Sequence, residues 1–245
     1  MIRLTLLLSA LALVTGVCSA EVSEKTNQSF PANSNVVIAV SNVNGSIDIR
    51  AWDRPEVSLV AEKKAPTKEG LDEIKIKVDA APDHLSIKTL YPHHPLDRDQ
   101  GMVHYSLRVP AGASVEKIEN VNCSITVVGV KGYIEISSVN GAINLKDTSS
   151  SLSVSTVNGS VRISAENLPH GSNLHIRSVN GSTRLDLPSQ VSARFDISSL
   201  VGGVHSAFPL DSSGFIGRSY HGTAGSGDAS VKIETVNGSV SIEKH

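Results

Sequence analysis

The chain has 245 residues, 40% of them hydrophobic and 4% aromatic, with 22 basic and 24 acidic side chains. That is ample for a packed core and fits one or two domains. The near-neutral charge, with no basic patch, argues against a nucleic-acid partner.

The first twenty residues read as a secretory signal peptide. Arg3 gives a positive start, Leu4 to Val17 form a short apolar run, and Cys18-Ser19-Ala20 supplies small residues for cleavage. The run is too short to span a bilayer comfortably, and no later apolar stretch is long enough for a transmembrane helix. Val17 stands where a lipoprotein signal wants a small residue, which counts against a lipid anchor on Cys18. Cleavage after Ala20 would leave 21 basic and 24 acidic residues and one cysteine, Cys123, so no intramolecular disulfide. The expected location is outside the cytoplasm: periplasmic, secreted or at the cell surface.

Residues 21–115 carry strand-like runs at Val57–Glu62, Ile74–Val78, Leu85–Thr89 and Val103–Val109, with a polar loop, "YPHHPLDRDQG", between the last two. This irregular β portion has room either for further rungs or for a small antiparallel sheet. His84, His93, His94 and His104 fall in it. His93 and His94 are adjacent, their side chains diverge in an extended loop, and no cysteine lies near, so a solvated loop explains them better than a metal site.

The triplet Val-Asn-Gly begins at Val43, Val139, Val157, Val179 and Val236, with a sixth copy at Val121 in which Cys123 replaces glycine and a weaker one centred on Leu200. From 121 onward the steps are 18, 18, 22, 21 and 36, and the last is twice 18, as though a degenerate copy intervened. Three positions before the valine stand Val40, Ile118, Ile136, Val154, Ile176 and Ile233; four after it stand mostly Ile and Val. The copies alternate with period two on either side of the triplet, and the phase flips across it. β-branched residues at those places favour strands.

Two architectures fit. Asn-Gly is a strong hairpin signal, so each copy could be an antiparallel hairpin. The alternative is a single-stranded parallel β-helix with rungs of 18–22 residues, in which each triplet turns a corner. The second is preferred because it lets the valine start the next strand and point inward. In that fold Asn44, Asn122, Asn140, Asn158, Asn180 and Asn237 stack into a structural ladder, their amides bonding along the axis at the strand spacing. Cys123 is then a small buried hydrophobe, the alternative being an intermolecular disulfide across an exposed rung. The regular rungs occupy 116–245, within one domain spanning 21–245.

No chemistry converges. The outward columns four before and five after the valine place no two acids on neighbouring rungs, as glycosidic cleavage on a β-helix would need. "SYHGTAGSGD", 219–228, holds serine, histidine and aspartate on one short segment, which does not supply the three supports of a hydrolytic triad. Its glycines, Gly222, Gly225 and Gly227, fit a tight loop better than a phosphate cradle. Trp52, the one tryptophan, forms no evident sugar-binding platform. No catalytic, metal-binding or cofactor-binding residue is assigned, and no cofactor is expected.

"SIDIRAWDRPEVSLVAEKKA", "YSLRVPAGASVE", the "VNGSI" repeats and the ending "FPLDSSGFIGRSYHGTAGSGDASVKIETVNGSVSIEK" together resemble the bacterial putative-adhesin family, a β-strand-repeat envelope domain. The resemblance covers nearly all of 21–245. It implies a β-helical fold outside the cytoplasm and brings no catalytic residues. The expected function is a non-enzymatic envelope-binding or scaffold protein with an envelope or surface partner, protein or glycan. The rival is a carbohydrate-active β-helix enzyme, and self-association through open strand edges at the helix ends is a third reading.

Overall fold

Stacked copies of one two-strand unit organise the chain. The computed structural model describes residues 21–91, 101–148, 151–214 and 217–245; the signal-peptide assignment, His93 and His94 lie outside them. The described residues hold nineteen strands and one short helix, and all the strands join one hydrogen-bonded sheet. The fold is all-β and solenoid-like.

The first part comprises β1 (Val22–Pro31), β2 (Val37–Trp52), β3 (Glu56–Ala65), helix α1 (Lys68–Glu73), β4 (Lys75–Ala81), β5 (His84–Leu90) and β6 (Met102–Pro110). β7 (Ser114–Val128) then runs unbroken through its triplet, as β2 does. Later copies divide at the triplet into strand pairs: β8 (Ile134–Asn140) and β9 (Ile143–Thr148), β10 (Leu152–Asn158) and β11 (Val161–Ala165), β12 (Asn173–Asn180) and β13 (Thr183–Leu187). Then come β14 (Ala193–Val201) and β15 (Val204–Ser206), the short β16 (Asp211–Ser213), β17 (Arg218–Ala224), and finally β18 (Ala229–Asn237) and β19 (Val240–Lys244).

Each strand pairs in parallel with its counterpart in the next copy, residue for residue: Val154 with Ile136 and Ile176, Ile163 with Leu145 and Leu185. This excludes consecutive hairpins. The pairing follows from the sequence, because an in-register stack places β-branched side chains over β-branched side chains. Val40, Ile118, Ile136, Val154, Ile176, Ile233 and Ile197 are all 1% exposed or less. Each such burial contributes roughly 1.5–3 kcal/mol.

The stacking order differs from the chain order at the carboxyl end. β12 pairs with β18, and β18 with β14, so the last-made copy lies between the copies at Val179 and Leu200. β13, β19 and β15 follow the same order. Among the described residues no degenerate rung fills the 36-residue step between β15 and β18. β16 and β17 lie off the parallel stack: β17 runs antiparallel against β14 with β16 beside it.

The first part holds both of the structures its length allows. β5 and β6 form a rung parallel to the two halves of β2. β4 and β3 then pair antiparallel with β5 and β6, and β1 with β3. Thus antiparallel strands cover three of the four strands at the stack's ends, while the outer edges of β1, β4, β15 and β16 have no strand partner among the described residues.

Candidate functional site

The corner formed by the triplets is the most repeated feature of the surface, and its orientation corrects the sequence reading. The residue before each valine points inward. Asn42, Asn120, Ser138, Thr156, Ser178, Thr235 and Ser199 are buried. The valine points outward: Val121, Val139, Val157, Val179 and Val236 are 37–45% exposed, and Leu200 and Val201 more so. The phase flip therefore spans two outward residues, Val and Asn, rather than falling in front of an inward valine.

The inward polar side chains hold the turn's own backbone. Asn42 Nδ2 donates to the Asn44 carbonyl at 3.1 Å and to the Val103 carbonyl at 3.0 Å. Asn120 Nδ2 donates to the Cys123 carbonyl at 3.1 Å and to Ser138 Oγ at 3.3 Å. Ser138 and Ser199 donate to the Asn140 and Gly202 carbonyls, each at 3.4 Å. A valine in that place would leave these carbonyls without their partners. In these four rungs the inward polar residue serves the turn, whereas the Thr156, Ser178 and Thr235 hydroxyls are buried without a partner among the described residues.

The triplet glycines are fixed by close approach. A Cβ built on Gly159 would stand 2.0 Å from the Gly141 carbonyl oxygen, and one on Gly181 would stand 2.1 Å from that of Gly159. The column thus packs backbone on backbone. Gly181 also has a φ of +135°, where an L side chain is strained.

Cys123 fills the glycine place without a positive φ. Its side chain is 1% exposed; Asn42 Nδ2 donates to Sγ at 3.4 Å, and Sγ contacts the Val43 carbonyl at 3.6 Å. Burial pushes the thiol up to about 11, against a smaller opposing effect of the Asn42 hydrogen bond. It is a packed, inert thiol, not a reactive one.

Outside, the asparagines form the column the repeat predicts. Asn122 Nδ2 donates to Asn44 Oδ1 at 3.0 Å, Asn140 to Asn122 at 2.8 Å, Asn158 to Asn140 at 3.0 Å and Asn180 to Asn158 at 2.9 Å. Asn237 is in register with Asn180. The corner edge is therefore a rigid comb, one valine and one asparagine per rung at about 4.8 Å. Serine or alanine follows the glycine or Cys123 in every triplet copy.

The remaining polar groups are ion pairs on the flat faces. Arg177 Nε and Lys232 Nζ contact Glu234 at 2.6 and 2.7 Å, and these two partners hold its carboxyl down near 2. Arg184 Nε bonds Asp186 at 3.0 Å and its Nη2 bonds Glu243. Asp186 and Glu243 are paired on neighbouring rungs, seven residues after their valines. The two columns weighed from sequence missed this acid pair, and a scan of every outward column would have found it.

The other sequence candidates stay apart. His84 lies between Asp79 and Asp83 at 3.6 and 3.4 Å, and hydrogen bonds to them, led by Asp83, raise its pKa. His104 Nδ1 instead meets Ser46 Oγ at 2.8 Å. No cluster of three or more His, Cys, Asp or Glu suits a metal ion among the described residues. In the 219–228 segment, His221 faces Asp196 at 3.5 Å, whereas Asp228 accepts from Ser226 Oγ at 2.8 Å. Gly225 and Gly227, at φ of +60° and +76°, make the tight turn. Trp52 donates from Nε1 to the Glu56 carbonyl at 2.8 Å and lies under Arg54, at the side of a shallow groove of about 300 Å³ with Pro55 and Pro110. Among the described residues no helix is long and apolar enough to cross a membrane.

These features define an all-β repeat protein whose surface signature is a stacked corner. Residues 112–243, over half of the chain, match the family described as Toastrack DUF4097, and the chain belongs to that family. No curated protein matches it. Among solved structures it is similar to a putative cell adhesion protein from Clostridium sporogenes, at 12% identity and a TM-score of 0.46, covering 92% of this chain and 100% of that one. It is also similar to a putative adhesin from Bacteroides fragilis (9% identity, TM-score 0.41, 89% and 97% covered) and a putative lipid binding protein from Parabacteroides distasonis (12%, 0.30, 90% and 97%).

Proposed function

We propose that this protein is an exported, non-enzymatic single-stranded parallel β-helix that serves in the cell envelope, periplasmic or at the surface, as a rigid binding or scaffold element. One observation carries the reading: a regular apolar column of valines stands exposed along an edge that the asparagine ladder and the glycine backbone contacts hold rigid. A column of that kind, repeated on rung after rung, marks an interaction surface. Parallel pairing of equivalent strands in every rung supports the β-helix description.

The test is capture from envelope extract by the immobilised protein, compared with a Val139→Lys, Val157→Lys variant. Retention of one partner by the parent and its loss in the variant is the expected result. Equal capture by both would refute the assignment of the edge.

Asp186 and Glu243, acids on neighbouring rungs, give the carbohydrate-active reading its one foothold. Both are held by Arg184, an arrangement suited to an ion pair. Incubation with envelope and plant polysaccharides is expected to release no reducing or unsaturated ends. Release that Asp186→Asn abolishes would replace the binding reading with an enzymatic one.

A further inference from the structure

We infer that the valine–asparagine edge is a contact between two copies of this chain, laid antiparallel about a two-fold axis that passes between the Val139 and Val157 rungs. The inference rests on reading that edge as the interaction surface.

Three features of the edge select a second copy. The first is spacing. The comb repeats at every rung, about 4.8 Å apart, so a partner must carry the same spacing to seat on all of them. Another copy of the chain has that spacing by construction, and a two-fold contact is self-complementary.

The second is charge. The valine and asparagine places carry no charged side chain in any copy, and serine or alanine flanks them beyond the glycine place. The outward column two residues before the valine, with its register partners on the end rungs, reads in stacking order Lys88, Ser41, Glu119, Ser137, Ser155, Arg177, Glu234 and Ser198. An antiparallel pair about the stated axis sets Glu119 of each copy opposite Arg177 of the other. Ser137 then faces Ser155, and Ser41 faces Glu234. Moving the axis onto the Val157 rung would set Glu119 against Glu234, and a parallel pair would carry the two columns to opposite sides. The charges therefore favour the antiparallel direction, and the paired Glu119–Arg177 contacts favour this register over one centred on the Val157 rung. Within each copy Arg177 Nε bonds Glu234 and Glu119 pairs with Lys117 at 3.2 Å, so both members of the proposed cross-contact pair already carry an ion pair of their own.

The third is area. The five valines from Val121 to Val236 alone present on the order of 240 Å², taking two-fifths of a side chain worth about 120 Å² each. The asparagines beside them and the flanking serine, Glu119 and Arg177 side chains widen the face, and a contact of this kind falls at the small end of the range around the ~800 Å² per partner of a standard interface.

The experiment is sedimentation of the purified protein over a concentration series, with circular dichroism on each variant. A reversible dimer with a Kd on the order of 10 µM is expected for a face of this size and polarity. Val139→Lys with Val157→Lys, at the centre of the contact, should weaken it about tenfold or more. Val139→Ser with Val157→Ser repeats that test with small side chains. Glu119→Arg and Arg177→Glu should each weaken the dimer, and their combination should restore it to within about threefold of the parent. A dimer untouched by the valine variants refutes the location, and no restoration in the double reversal refutes the antiparallel register. A monomer at every concentration overturns the inference. If that monomer still captures a partner through Val139 and Val157, the binding reading stands with a different occupant; if it does not, both fall.

Discussion

Placing a methyl group on a triplet glycine tests the stack directly. At Gly159 the new Cβ would stand 2.0 Å from the Gly141 carbonyl oxygen, with φ outside the left-handed range, so the cost there is steric alone. At Gly181 the equivalent contact is 2.1 Å, and φ is +135°. Both contacts are with backbone, and no side-chain rearrangement relieves them. Overpacking costs about 1–3 kcal/mol, and a strained φ adds roughly 1–3 kcal/mol. Gly159→Ala is therefore expected to destabilise by about 2–3 kcal/mol and Gly181→Ala by about 3–5 kcal/mol. Gly203→Ala, with nothing within 4 Å and no strained φ, should change stability by less than about 0.5 kcal/mol. Thermal unfolding followed by circular dichroism separates the three, because each kcal/mol moves Tm by roughly 2–4 °C at this size. Equal melting of Gly159→Ala and Gly203→Ala would refute the backbone-on-backbone packing of the corner.

Asn158 sits mid-ladder, donating to Asn140 and accepting from Asn180, so Asn158→Ala removes two solvent-exposed hydrogen bonds and should cost about 1 kcal/mol in urea unfolding. Glu234 has a depressed pKa near 2, so its contribution is present above the ordinary carboxylate range and is lost as pH falls from about 4.5 toward 2. After solvent screening the loss is about 1 kcal/mol, and Glu234→Gln should flatten that part of the stability profile. Cys123, buried and with its thiol pushed up, should react with a thiol reagent at pH 8 only after denaturation, and non-reducing gels should show no disulfide-linked dimer. Prompt labelling of the native protein would place the thiol at the surface instead.

The sequence made the columns legible because repetition averages out local noise. Val154, Ile136 and Ile176 share a place in three copies, and only an in-register stack lets such residues meet. The asparagine ladder was legible for the same reason. The orientation of the corner was not. Hydropathy ranks valine inside and Ser, Thr or Asn outside, yet the turn carbonyls at the Asn42, Asn120, Ser138 and Ser199 rungs take donors from within, and that local demand reverses the ranking there; at Thr156, Ser178 and Thr235 the buried hydroxyl has no partner among the described residues. The acid pair escaped because it lies in a column left unscanned. The place of the last copy was also missed, although a signal was present. Leu200-Val201-Gly202 is the copy without the asparagine, and a rung that cannot continue the ladder belongs at the end of it.

That exchange of order bears on how the protein is made. A solenoid whose rungs follow the chain can grow as it emerges, each new rung closing on the one before. Here β14 and β15 are made before the strands that join them to β12 and β13, and residues 229–244 must enter between two finished layers. Until they do, two strand edges stay open to misplaced neighbours. Residues 229–244 thus act as a keystone: held between two rungs, this segment locks the stack from inside.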